Sequence, residues 1–128
     1  MSLKSKRNRK KLAGKARKGF RGYPLATITY YGPNDRLATK VVASIVAYED
    51  AEPDPIEKWF SEKDVRNEDG VVQEVLQFLE EETVKSVAML DRIIGCPHEE
   101  GIDYPEGEAC PHCPFWKGRD RWTGEKVH

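Results

Sequence analysis

The stretch YPLATITYYGPNDRLATKVVASIVAY, residues 23–48, predicts a β-hairpin. Its first half is rich in β-branched and aromatic residues and alternates in polarity, so Ala26, Ile28 and Tyr30 are expected to share one face of a strand. Residues 32–35, GPND, are typical of a turn, because Gly and Pro favour special φ values and Asn and Asp bond their own backbone. The apolar segment after the turn predicts the second strand.

Two helices and a third strand are expected beyond the hairpin. Asp54, Pro55 and Glu57 have the chemistry of a capping box, which predicts a short helix up to Phe60. The next helix shows one buried face at the i, i+3, i+4, i+7 spacing, and a mostly apolar segment then predicts a strand beside the hairpin. The apolar positions of that helix are Val72, Val75, Leu76 and Leu79, and the strand covers residues 84–90.

The charges are distributed unequally along the chain. Residues 1–21 contain ten Lys or Arg and no Asp or Glu, whereas the rest of the chain contains eleven basic groups and all 22 acidic ones. With few apolar side chains, this segment is expected to be a flexible arm that becomes helical over residues 10–18 when bound. Its composition is typical of phosphate binding. The cations are Lys4, Lys6, Arg7, Arg9, Lys10, Lys11, Lys15, Arg17, Lys18 and Arg21.

All three cysteines and two of the three histidines lie within one stretch of twenty-one residues. Cys96 and His98 form a CxH pair, and a CxxC pair follows twelve residues after His98. Zinc prefers four sulfur and nitrogen ligands in a tetrahedron, and an odd number of clustered cysteines favours a metal over disulfides. The sequence therefore predicts Zn²⁺ held by Cys96, His98, Cys110 and Cys113, with His112 as the alternate ligand.

The CPHC sequence at residues 110–113 resembles the CPxC knuckle of zinc ribbons and related zinc folds, whereas the first pair departs from that pattern with one intervening residue and a histidine. An enzyme is the alternative, because His98 and Glu100 spell the HxE of nucleobase deaminases, in which Glu100 would transfer protons. Ala109 stands where that signature has proline, and Cys96 would complete the coordination sphere. Since four protein ligands leave no open position, structural zinc is favoured over catalysis.

The tail interleaves aromatic and basic residues in FWKGRDRWTGEK, residues 115–126. Aromatic rings stack on unpaired bases while arginines take phosphates, so this segment is a candidate single-strand contact. The alternative is that Phe115 and Trp116 pack over the metal loop. The candidate contacts are Trp116, Arg119, Arg121 and Trp122.

The predicted fold class is α+β. We expect a small mixed sheet, made of the hairpin plus one further strand, with helices on one face, followed by a zinc-stabilised loop and preceded by a basic flexible N-terminal arm. The arm covers residues 1–22, the α+β domain residues 23–95, and the zinc-binding loop with its tail residues 96–128.

The charge pattern and the metal motif together predict an accessory or adaptor protein that binds nucleic acid, with RNA slightly preferred over DNA. A protein-interaction module, whose arm docks on an acidic partner, is the further alternative. No apolar run is long enough to span a membrane and the N-terminus lacks the apolar region of a signal peptide, so we expect a cytoplasmic protein without a membrane partner.

Overall fold

The structure is a computed structural model that describes residues 3–99, 101–108 and 110–116, with the side chains of residues 3–6 and 91 outside that description. The described residues form two helices, four strands and two short 3₁₀ turns. In chain order the elements are α1 (Leu3–Arg17), β1 (Leu25–Tyr31), β2 (Lys40–Val46), β3 (Ile56–Phe60), a 3₁₀ turn (Val65–Asn67), α2 (Asp69–Glu81), β4 (Ser86–Ile93) and a second 3₁₀ turn (Pro114–Trp116).

The four strands form one mixed sheet in the order β3-β2-β1-β4. β1 and β2 are the predicted hairpin, in antiparallel register with Ile28 opposite Ala43, and β4 lies parallel to β1 on its other side. Along β1 buried and half-buried residues alternate, and the buried set is Ala26, Ile28 and Tyr30. The predicted hairpin, its buried face and the strand beside it are confirmed.

Both helices pack on this buried face of the sheet. The periodic positions Val72, Val75, Leu76 and Leu79 of α2 are all buried in the same core as β1 and β2, which confirms the predicted apolar face. The opposite face of the sheet has no helix over it among the described residues. The mixed α+β class with helices on one face is therefore confirmed.

Residues 56–60 are a strand, and the prediction of a short helix there is wrong. β3 pairs antiparallel with β2, with Val42 opposite Lys58, so it satisfies backbone groups along what would otherwise be a free sheet edge. Trp59 points to the core side and meets Phe78 edge to face, with ring centroids 6.0 Å apart. The capping pattern at residues 54–57 is local, whereas strand pairing and the Trp59 contact are non-local and outweigh it.

The basic segment differs from the flexible arm that its composition indicated, because Leu3–Arg17 forms helix α1 packed on α2 and β4. Leu12 is only 5% exposed and belongs to the main core, and Ala16 packs against that core. Asn8 donates to Asp69 at 3.2 Å, and Lys11 pairs with Glu80 at 3.3 Å. One buried leucine can therefore hold against the core a helix that carries few other apolar groups.

Among the described helices, none combines the length and apolarity that a membrane span requires.

Candidate functional site

The metal loop, defined as residues 96–113, begins where β4 leaves the sheet. Beyond the last residue of β4, the Ile94 amide donates to the Tyr30 carbonyl at 3.0 Å. The Gly32 amide donates in turn to the Gly95 carbonyl at 2.8 Å. These bonds continue the pairing of β1 with β4 up to Cys96, so the first predicted ligand leaves from a backbone position held by the sheet.

The structure brings Cys96, His98, Cys110 and Cys113 together, with their donor atoms within 4.8 Å of one another. The His98 Nδ1 atom lies 3.2 Å from Sγ of Cys96, 3.4 Å from Sγ of Cys110 and 3.5 Å from Sγ of Cys113. His112 is exposed, and its ring lies beside that of His98 at 5.4 Å between centroids. The four residues can hold a metal ion, and His98 supplies the nitrogen.

Tight turns and a small apolar cluster position these donors. The His98 amide donates to Sγ of Cys96 at 3.3 Å, and the Cys113 amide donates to the Cys110 carbonyl at 3.4 Å. Tyr104 is buried against Cys110 and Cys113, which is 2% exposed. Burial raises the pKa of the Cys96 and Cys113 thiols, because a thiolate is poorly solvated there. A cation bound among the sulfurs would supply the charge that stabilises thiolates.

Trp116 connects the metal loop to the hairpin turn. Its indole N–H donates to the Gly32 carbonyl at 2.7 Å, and its ring packs against both the main core and the cysteine cluster. A Cβ on Gly32 would lie 1.8 Å from the Leu37 carbonyl oxygen, so the turn closes only with glycine there. The sequence left two roles open for Trp116, packing over the metal loop and contact with nucleic acid. The contacts in the structure give it the packing role.

Lys40 makes a second connection between sheet and loop. The residue is 4% exposed, and its Nζ donates to the Pro97 carbonyl at 3.1 Å. The ammonium also lies 5.5 Å from the ring centroids of both Tyr31 and Phe60. Burial lowers the pKa of Lys40, and the nearby Glu99 carboxylate partly offsets that effect. The carbonyl and the two rings together compensate the cost of burying this cation.

A hollow of about 620 Å³ lies between the metal loop and the end of β3, and we call it the acidic hollow. Three carboxyl groups line it, together with Lys40 and Phe60. Lys58 donates to Glu99 at 2.8 Å, and this bond lowers the pKa of Glu99. The carboxyl groups belong to Glu62, Glu99 and Asp103.

The cations of α1 are concentrated on the helix side that faces away from the core. Residues at the spacing i, i+3, i+4 and i+10 lie on one side of a helix, and the basic residues at these positions are exposed. Lys11 forms the ion pair with Glu80, while the other stripe cations form no ion pair within the described part of the chain. We call this side the cationic stripe: Arg7, Lys10, Lys11, Arg17 and the adjoining Lys18.

The remaining predicted site residues lie partly inside and partly outside the described part of the chain. Arg9 and Arg21 are exposed, and Lys15 is half-buried. Lys40 and Gly32 were missed, although they join the metal loop to the sheet, because no local pattern reveals which strand ends meet. Outside the described residues lie Glu100, Arg119, Arg121, Trp122 and the side chains of Lys4 and Lys6.

Comparison of the chain with protein-family models, with curated proteins and with solved structures finds no match. The function is therefore inferred from the residues and their geometry.

Proposed function

We propose that this is a zinc-stabilised protein that binds nucleic acid through the cationic stripe of α1 and acts as an accessory or adaptor. The observation that carries the proposal is the alignment of exposed cations on one side of a helix that is seated on the body by its other side. The proposal has two parts, the identity and role of the metal and the ligand of the stripe.

Zinc suits the donor set. Three thiolates and one imidazole are soft and borderline ligands of the kind zinc takes in structural sites. In a tetrahedral site with ordinary Zn–S and Zn–N lengths, nitrogen and sulfur lie about 3.6 Å apart. The distances from Nδ1 of His98 to the three sulfurs, 3.2, 3.4 and 3.5 Å, are close to that spacing.

A structural role for zinc follows from the number of ligands. Four protein donors complete the tetrahedron and leave no position for a substrate or an activated water. Cys110 and Cys113 are buried, and the loop between the two ligand pairs contains Tyr104 as its buried side chain among the described residues. With so little apolar area, the metal loop is expected to depend on the metal for its folding.

Nucleic acid suits the stripe because of its length and charge. From Arg7 to Arg17 the helix rises about 15 Å, which spans several phosphates of one strand. The body beneath carries the excess of acidic groups and would repel a polyanion, so binding is directed to α1. Each phosphate that a cation neutralises releases condensed counterions, which makes the affinity strongly dependent on salt.

The experiment is a salt series of binding to single-stranded RNA and DNA. If the five stripe cations contact phosphate, the slope of log affinity against log salt should be near −3.5 on single strands, and Lys10→Ala should reduce its magnitude by about 0.7. Lys63→Ala is the matched control, because Lys63 is also an exposed lysine and lies beyond β3. Equal slopes for the two variants, or association that survives nuclease treatment, would instead favour an acidic protein partner.

A further inference from the structure

A second hollow, of about 690 Å³, lies between β1 and β4 beside the end of α1, and Ala16 of that helix contributes to its lining. Leu25, Thr27 and Ala88 line it, and Thr27 lies opposite Ala88 in the parallel register. These β1 residues alternate with buried Ala26 and Ile28, so they point away from the helices. We call this the open-face hollow. Its volume is within the range of small-ligand sites, and no acidic side chain lines it in the described part of the chain.

Phe20 stands at the margin of the open-face hollow. It is 64% exposed and meets Tyr23 edge to face at 5.1 Å between centroids. Its segment is tied to β4, because the Arg21 amide donates to Oγ of Ser86 at 2.6 Å and that hydroxyl donates to the Gly22 carbonyl at 2.7 Å. An exposed aromatic ring is therefore held beside a hollow by neighbouring backbone contacts.

Positive charge surrounds the same margin. Arg17 and Lys18 end the cationic stripe and are followed directly by Gly19 and Phe20, which line the hollow. Lys85, the residue before β4, lies close to the segment that follows Phe20, since its Cδ lies 3.6 Å from the point where a Cβ on Gly22 would stand. The C-terminal end of the cationic stripe thus adjoins the margin of the open-face hollow.

The two hollows differ in the charge that they offer a ligand. The acidic hollow has three carboxyl groups and an exposed ring, Phe60, whose centroid lies 5.5 Å from the Lys40 ammonium. The open-face hollow has an equally exposed ring and cations at its margin. An anionic chain is therefore repelled from the first and attracted to the second.

We propose that the open-face hollow receives unpaired bases of a nucleic-acid strand whose phosphates lie along the cationic stripe, with Phe20 as the stacking ring. This inference rests on the proposed nucleic-acid function and adds that the ligand is single-stranded. Bases of a duplex are stacked on each other and do not reach the hollow, whereas every unpaired base has a face that can stack on an aromatic ring. The lining is mainly apolar, with the hydroxyl groups of Thr27, Thr29 and Ser86 as its polar side chains among the described residues, and stacking on a ring is open to every base.

The test compares affinities of the full chain and its variants for a single-stranded RNA and for its duplex at one salt concentration. Phe20→Ala should weaken single-strand binding about 10-fold, the size expected for one lost base–ring stack, and leave duplex binding unchanged. Phe20→Trp should retain the affinity, because the aromatic face is kept. Phe60→Ala is the matched control, since Phe60 is also 64% exposed, and it should leave both affinities unchanged.

The outcomes separate the two proposals. If Phe20→Ala weakens single-strand and duplex binding equally, or weakens neither while Lys10→Ala still lowers affinity and salt slope, base stacking at Phe20 is wrong and the proposed function stands. If neither Phe20→Ala nor Lys10→Ala changes any affinity, the proposed function itself is wrong. Selective loss of single-strand binding in Phe20→Ala, with recovery in Phe20→Trp, supports the inference.

Discussion

Helix α1 and the metal loop flank the same sheet but are held to it in different ways. α1 is seated by a buried leucine on the core and by surface polar contacts, and it presents cations outward. The metal loop has a small apolar cluster of its own, four clustered donors, and links to the sheet through Lys40 and Trp116. We therefore expect hydrophobic burial to hold the first region, whereas the second is proposed to depend on a bound metal ion for its order.

The largest effect is expected from removing a metal ligand. Cys113→Ser should weaken zinc affinity more than about 100-fold and unfold the metal loop, because one of the four clustered donors is lost and the loop has little apolar area to hold it. Native mass spectrometry measures the metal content, and hydrogen exchange measures the order of the loop.

His112→Ala is the control for this substitution, since His112 is exposed and adjacent to the same knuckle. This variant should keep both the metal content and the order of the metal loop. Equal metal loss in the two variants would make His112 a ligand and contradict the assignment of His98. Exchange in α1 should be unchanged by Cys113→Ser if the two regions are independent.

A substitution at Gly32, where the hairpin turn contacts Trp116, should disturb the structure of both the hairpin and the metal loop. Gly32→Ala places a Cβ against the Leu37 carbonyl and disturbs the carbonyl that accepts the Trp116 indole N–H. We expect a loss of about 3 kcal/mol or more in the free energy of unfolding, measured by urea denaturation of the zinc-loaded protein. Gly70→Ala is the control, because a Cβ there meets nothing within 4 Å. Similar stabilities for the two variants would contradict the close approach at Gly32.

Truncating Leu12 tests how α1 is held. Leu12→Ala should lower the free energy of unfolding by about 2–3 kcal/mol, because it leaves a cavity where a nearly fully buried leucine packs. Zinc content should remain that of the unaltered protein. Lys10→Ala is the control, because Lys10 lies on the exposed side of the same helix, and it should change the free energy of unfolding by less than about 0.5 kcal/mol. If Leu12→Ala is equally neutral, α1 does not pack on the core in solution.

The smallest effect concerns Asp64, which belongs to neither region. Burial alone would raise the pKa of Asp64, but hydrogen bonds from Arg66 and from the Ala38 amide outweigh it and leave the pKa below its usual range. Its ionised form is thus favoured in the folded protein, so this stabilisation is present above about pH 4 and is lost as the pH falls through the lowered pKa.

Asp64→Asn should therefore cost about 1 kcal/mol at pH 7 and progressively less below pH 4. Urea titrations across that range, compared with the exposed Asp35→Asn variant, measure the difference. A cost that stays constant with pH would show that the carboxylate charge does not matter.

Several features could be predicted because their signals are local. Alternation in β1 and the helical period of α2 identified the buried faces, and two short-spaced pairs identified the four clustered donors. β3 could not be predicted in this way, because its five residues cover little more than one helical turn or two strand repeats. So short a segment does not show which of the two periods its apolar residues follow. The local capping pattern there favoured the wrong element.

The sequence by itself determined the hairpin, the apolar face of α2 and the set of metal donors, because spacing along the chain places those side chains on one face or in one turn. Only the tertiary structure decided the pairing of β3, the seating of Leu12, the contacts of Lys40 and Trp116 with the metal loop, and the position of Phe20 beside the open-face hollow. These depend on residues that are distant in sequence, and their energies arise only when the sheet has brought strand ends and helix faces together.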